Sequence, residues 1–94
     1  MVRNVHFING DTRILVRTSN SLVSLTLLGD VIFRIPFVQH SLYVIGGHEK
    51  RTLCMYKDEW LQFYDLTNGT LKHRLTIQGV ALTDPRGYRG IVVR

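Results

Sequence analysis

The chain has 94 residues, of which 45% are hydrophobic and 20% are charged, and its net charge is +5 at pH 7. This length allows one domain with a modest core, and the apolar content excludes a disordered tail. No apolar run approaches the roughly 20 residues of a membrane-spanning helix, and the N-terminal residues lack the apolar segment of a signal peptide. We therefore expect a soluble intracellular protein in the cytoplasm, with the nucleus as the alternative location.

Aromatic and β-branched residues, only two prolines and frequent turn residues favour strands over helices. The first four predicted strands span residues 5–8, 13–17, 22–28 and 31–37. The last two form a hairpin, because Gly29-Asp30 supplies residues that tolerate positive φ. Pro36 should mark the end of its strand or an edge position, since proline cannot donate a ladder hydrogen bond.

The pattern restarts near residue 41, with predicted strands at 41–45, 51–56, 60–66 and 70–77. Asn68-Gly69 supplies the turn of the second hairpin. A third restart runs from residue 79 through a turn at 84–87 to residue 94. Because Leu15 corresponds to Leu53 and Arg34 to Arg74, the repeat is about 38 to 40 residues long. The sequence therefore predicts one all-β region over residues 1–94, built from antiparallel four-strand repeats.

A four-strand unit of about 40 residues is typical of a β-propeller blade. The stretch LQFYDLTNGTLKHRL at 61–75 resembles a WD-repeat-like β-propeller: Tyr64-Asp65 stands where the family has Trp-Asp, and Thr67-Asn68-Gly69 matches its usual turn. The chain would hold about two and a third divergent blades of a larger propeller or oligomer, because a closed ring needs at least about four blades. Trp60 and Tyr64 share one strand face, which indicates packing against a neighbouring blade or partner. The resemblance implies a non-catalytic scaffold for protein–protein interaction or self-association.

Residues with metal-binding or catalytic potential are scattered, and no pair has a spacing typical of a metal site. We therefore expect no metal, no cofactor and no enzymatic activity. His73 lies on the mostly apolar face of its strand, so a hydrogen-bonded core histidine is the simpler interpretation. Cys54 is the sole cysteine and lies in a predicted strand, which favours a buried structural thiol.

The residues we expect to contact a partner are Arg86, Tyr88 and Arg89, which combine cations and an aromatic ring in the loop at 84–90. This mixture can hold phosphates and stack a base. An ordinary Asp-Pro-x-Gly turn is the simpler interpretation of the same residues.

Two alternatives to the propeller-like scaffold remain open. The first is a small basic β-barrel that binds RNA or DNA, on a surface that Lys72, Arg74, Lys50 and Arg51 would extend if they lie on one side. The second is a structural piece of a larger assembly. Two unrelated hairpins in a meander would also produce the observed alternation of polar and apolar residues.

Overall fold

In a computed structural model, residues 2–38 and 40–76 are described, and they form two four-stranded antiparallel sheets. Sheet 1 contains β1 (Asn4–Ile8), β2 (Arg13–Arg17), β3 (Ser21–Thr26) and β4 (Val31–Pro36). Sheet 2 contains β5 (Leu42–Gly46), β6 (Thr52–Lys57), β7 (Trp60–Asp65) and β8 (Thr70–Thr76), with one 3-10 turn, η1 (His48–Lys50), before β6. Strands follow one another in chain order in both sheets, and neither sheet closes into a barrel. The prediction of an all-β fold with four-strand antiparallel repeats is confirmed.

The strand boundaries differ most from prediction at the end of β3. The apolar run continues through Leu27 and Leu28, but β3 ends at Thr26 because both leucines belong to the turn. Gly29 completes this turn with a φ of 99°, and the Thr26 backbone N–H donates to the Asp30 carbonyl oxygen at 2.8 Å. Pro36 ends β4, an edge strand of sheet 1, as predicted. The strands predicted after residue 76 lie outside the described residues.

The two sheets pack face to face around one apolar core. Sheet 1 and the residue that follows β4 contribute five buried residues, none more than 2% exposed: Ile8, Leu15, Leu22, Ile35 and Phe37. Sheet 2 and its last turn contribute Leu53, Met55 and Leu66, all fully buried. Because burying a leucine or isoleucine side chain contributes about 1.5–3 kcal/mol, this shared core holds the sheets together.

The aromatic residues of β7 meet the core in different ways. Tyr64 packs against the core cluster, so its predicted contact with a neighbouring sheet is confirmed. Trp60 is half-buried at the opposite end of β7. The guanidinium carbon of Arg74 lies 4.2 Å from the centroid of the Trp60 ring, a cation–π contact within sheet 2.

Backbone and side-chain hydrogen bonds join the sheets at one end. The Gly10 N–H donates to the Glu49 carbonyl oxygen at 2.8 Å, which ties the β1–β2 turn to η1. Asn9 Nδ2 donates to the Leu66 carbonyl oxygen at 2.8 Å, and Arg13 Nη1 donates to that of Thr67 at 2.7 Å. These bonds satisfy turn carbonyls that strand pairing leaves free, and they fix the position of the β7–β8 turn against sheet 1.

A β-bulge occurs at equivalent places in the two sheets. The register shifts opposite Ser24/Leu25, which leaves Ile32 as the extra residue of β4. It shifts again opposite Phe63/Tyr64, 39 positions further along the chain (24 to 63), which leaves Lys72 as the extra residue of β8. Strand pairing gives the same offset of 39 between β2 and β6, and an offset of 40 between β4 and β8. Arg34 therefore corresponds to Arg74, as expected.

The predicted correspondence of Leu15 with Leu53 is wrong by one residue. The offset of 39 between β2 and β6 aligns Leu15 with Cys54. The difference matters because neighbouring residues of a strand point to opposite faces. Leu15 is a core residue, whereas Cys54 lies on the other face of sheet 2 from the core residue Leu53.

Candidate interaction surface

Each sheet has one face that points away from the shared core. Each of these outward faces is structurally equivalent to the core-lining face of the other sheet. We call the outward face of sheet 1 face 1 and the outward face of sheet 2 face 2. The aligned bulges make equivalent residues point in the same direction along the stack of sheets. Face 1 thus corresponds to the core side of sheet 2, and face 2 to the core side of sheet 1. The two sheets are stacked head to tail, as repeats are in arrays where each unit contacts its neighbours.

Face 1 is apolar at every position that is equivalent to a core contact of sheet 2. Those core contacts are Tyr43, Ile45, Leu53, Met55, Tyr64 and Leu66. Their equivalents in sheet 1 are Val5, Phe7, Ile14, Val16, Leu25 and Leu27. Val5, Phe7 and Leu27 are 57%, 53% and 57% exposed, although Val16 in the middle of the face is buried.

Face 2 also carries apolar side chains. Val44 on edge strand β5 is 57% exposed, while Leu61 near the centre is buried. Phe63 and Leu75 are half-buried. His73 was predicted to be a hydrogen-bonded core histidine, but it is exposed, because β8 is an edge strand. Its ring lies beside that of Phe63, at a centroid distance of 6.0 Å.

Cys54 lies at the centre of face 2 and is half-buried, so the expected full burial is met only in part. Burial raises the pKa of the Cys54 thiol. The thiolate is the reactive form of cysteine, so this shift keeps the side chain in its unreactive protonated form at neutral pH.

A cleft between β1 and β5 contains a hydrogen bond between side chains of the two sheets. His6 Nε2 and the Tyr43 hydroxyl lie 2.7 Å apart, and their rings meet edge to face. Burial, and to a smaller extent the positive charge of Lys50, lowers the pKa of His6. Burial raises the pKa of Tyr43, against the opposing effect of Arg17. At neutral pH the pair is therefore an uncharged hydrogen bond that aligns the two edge strands.

The cations expected to form one basic surface are divided among different contacts. Arg51 Nη2 lies 2.9 Å from a Glu49 carboxylate oxygen, and Lys72 Nζ lies 3.9 Å from a carboxylate oxygen of Asp65. Lys50 is beside the His6 cleft. These exposed pairs contribute little to stability, but they offset part of the positive charge that phosphate binding would use.

Asp65, which occupies the Asp position of the Trp-Asp resemblance, stabilises its own turn. Its Oδ1 accepts the Thr67 N–H at 2.8 Å, and its carbonyl oxygen accepts the Gly69 N–H at 2.7 Å. The hydrogen bond from the Thr67 amide is the main reason why the pKa of Asp65 is lowered. The side chain therefore acts within sheet 2, as Asx-turn residues do.

The residues predicted to contact a partner, Arg86, Tyr88 and Arg89, lie outside the described residues. Within residues 2–38 and 40–76, no three His, Cys, Asp or Glu side chains come together in a group that could hold a metal ion. The same part of the chain contains no helix with the length and apolar character of a membrane span.

Comparisons of the chain with protein-family models, curated proteins and solved structures gave no match. Function is therefore inferred from the geometry of the sheets. Sequence reasoning missed the two outward faces as interaction surfaces, and the signal that could have found them is the set of apolar residues on both sides of β2, β3 and β6. A strand with one solvated face would alternate polar and apolar residues more strictly.

Proposed function

We propose that the chain is a non-catalytic scaffold for protein–protein interaction, built from blade-like repeats similar to those of WD-repeat β-propellers. The observation that carries this proposal is the pair of apolar outward faces, each equivalent to a face that is buried in the core. Side chains suited to a sheet–sheet interface occupy both ends of the stack.

A protein is the partner that best fits such a surface. An apolar sheet face gains free energy when another apolar surface covers it, and exposed patches of this kind commonly mark interaction sites. Val5 and Phe7 on β1 and Leu27 in the β3–β4 turn are each more than half exposed.

A cytoplasmic or nuclear location belongs to the same proposal. Its support is the single cysteine, because small extracellular domains commonly rely on several disulfides.

Nucleic-acid binding is the less favoured function. Salt bridges engage Arg51 and Lys72, and Arg74 stacks on Trp60. Arg86, Tyr88 and Arg89, in the loop predicted from the sequence, keep their predicted role in partner contact, which an Arg86→Ala, Arg89→Ala double variant tests. Loss of salt-dependent RNA binding in that variant would support the nucleic-acid alternative.

Site-specific photocrosslinking in cells tests the proposed function. A benzophenone amino acid replaces Phe7 on face 1 or Phe63 on face 2, and the matched control replaces Glu59 in the exposed β6–β7 turn. We expect nuclease-resistant protein adducts from the two face positions and few from the control. Adducts with RNA alone, or equal yields at the three positions, would contradict the proposal.

A further inference from the structure

We infer that the partner of the outward faces is a second copy of this chain, bound head to tail so that face 1 of one molecule packs on face 2 of the next. The inference rests on the proposed function and names the partner within it. Its template is the contact between sheets 1 and 2, which the fold already contains.

The first step is the pair of equivalent leucines in the hairpin turns. Leu66 follows β7, is fully buried in the shared core and comes from the turn that Asn9 holds by a hydrogen bond. Leu27 follows β3 at the equivalent position and is 57% exposed. Leu66 thus packs sheet 2 onto sheet 1, whereas its equivalent Leu27 is exposed among the described residues. In the head-to-tail contact, Leu27 takes the role of Leu66.

The second step is the replacement of a polar pair by an apolar one. Across the core, His6 hydrogen-bonds Tyr43. The strand alignment makes Val44 the equivalent of His6 and Val5 the equivalent of Tyr43, and both valines are exposed. Val44 on face 2 and Val5 on face 1 would therefore meet between two molecules. Two valines can be buried together without leaving an unpaired polar group, which suits an interface that assembles from free chains.

The third step is symmetry. Face 1 and face 2 are different surfaces, so the contact between copies is heterologous, and such contacts form rings or open filaments. With the two sheets that residues 2–38 and 40–76 form in each chain, a ring the size of known propellers would contain roughly two to four chains. A two-fold dimer, in which one face meets itself, does not follow from this geometry.

The first experiment measures solution mass by light scattering on the full chain. We expect the wild type to associate beyond a single chain, and Leu27→Asp or Val44→Asp to weaken association at least about tenfold, because each puts a charge into an apolar contact. Leu28→Asp is the matched control, since Leu28 lies in the same turn, is 92% exposed and has no core equivalent.

Mixing the two defective variants gives the sharpest result. A Leu27→Asp chain keeps an intact face 2, and a Val44→Asp chain keeps an intact face 1. Their mixture should form a complex of two chains and stop there, because the remaining faces are both defective. A folded wild-type monomer, an equal effect of Leu28→Asp, or a mixture that stays monomeric would overturn the inference.

Cysteine crosslinking gives an independent answer if an aspartate variant does not fold. In a Cys54→Ser background, Val5→Cys and Val44→Cys are placed in separate chains and treated with a bismaleimide whose arm spans about 10 Å, the separation of stacked sheets. We expect a crosslink mainly in the mixture, because each variant alone offers the new thiol on one face only. Equal crosslinking of each variant with itself, or none in the mixture, would overturn the inference.

These outcomes separate the inference from the proposed function. If the chain is a folded monomer but Phe7 and Phe63 positions still crosslink to a different protein, the scaffold proposal stands and the self-association inference fails. If crosslinking at both faces also fails, the proposed function fails with it.

Discussion

Gly69, in the β7–β8 turn, lies against the ring of Phe33 in β4 of the other sheet. A Cβ atom at position 69 would come within 2.6 Å of Phe33 Cγ, and the φ of Gly69 is 80°. Both the close approach and the left-handed backbone require glycine at this point. Gly29 is the equivalent glycine in sheet 1, with a φ of 99° and nothing within 4 Å of the corresponding Cβ position.

We expect Gly69→Ala to destabilise the chain more than Gly29→Ala. Each variant incurs about 1–2 kcal/mol for a left-handed alanine. Gly69→Ala adds about 1–3 kcal/mol for overpacking against Phe33. Urea unfolding at pH 7 measures both, in a chain carrying Leu27→Asp so that association does not contribute. Equal losses would show that the turn does not press on Phe33.

The equivalent leucines should differ strongly in their effect on the stability of a single chain. Leu66→Ala removes a fully buried side chain and should cost about 2–5 kcal/mol. Leu27→Ala removes an exposed one and should change the unfolding free energy by less than about 0.5 kcal/mol. Urea unfolding at protein concentrations that keep the chain dissociated measures both values. A large loss from Leu27→Ala in the monomer would mean that Leu27 packs within its own chain.

Alternation of apolar and polar residues was sufficient to predict the eight described strands and their division into two repeats. It could not fix the direction of each side chain in β4 and β8, because the bulges add Ile32 and Lys72 to these strands and alternation does not register them. The alignment of Leu15 with Leu53 has a different cause. The connection between β5 and β6 (47–51) has five residues and that between β1 and β2 (9–12) has four, so the offset between the sheets grows from 38 to 39. A shift of one residue moves a side chain to the other face.

The candidate surface was less predictable than the fold, for two physical reasons. The His6–Tyr43 contact joins residues 37 positions apart in different sheets, so it depends on sheet packing rather than on local pattern. Exposure also depends on which elements cover a strand. His73 has apolar neighbours in sequence, but the edge position of β8 leaves it exposed.

Acid should destabilise the sheet–sheet contact through His6. Its pKa in the folded chain is lowered from 6.5, mainly by burial. The unfolded chain therefore binds more protons as the pH falls below about 6.5, and the stability from a neutral His6 is lost through that window. Urea unfolding between pH 8 and pH 5 should show this slope in the wild type and a smaller slope in His6→Gln.

The control for His6 is His40→Gln, which replaces an exposed histidine that does not line the cleft. Its stability should depend on pH as that of the wild type does. If His6→Gln keeps the wild-type slope, then His6 is not responsible for the pH dependence. NMR titration of the His6 ring gives the lowered pKa directly, and Lys50→Gln should raise it slightly by removing a nearby positive charge.

Asp65 should contribute to stability through its acceptor oxygen more than through its charge. Asp65→Ala removes the acceptor of the 2.8 Å hydrogen bond from Thr67 and should cost on the order of 1 kcal/mol. Asp65→Asn keeps an oxygen in that place and loses the charge, which attracts Lys72 at 3.9 Å and Arg51 only weakly, so it should stay within about 0.5 kcal/mol of the wild type. Because the pKa of Asp65 is lowered from 3.8, the contribution of its charged form is complete above that pH and declines as the pH falls through the folded value. Urea unfolding of the three chains at pH 7 and pH 3 tests this, and an Asn variant as unstable as the Ala variant would make the carboxylate charge the principal contribution.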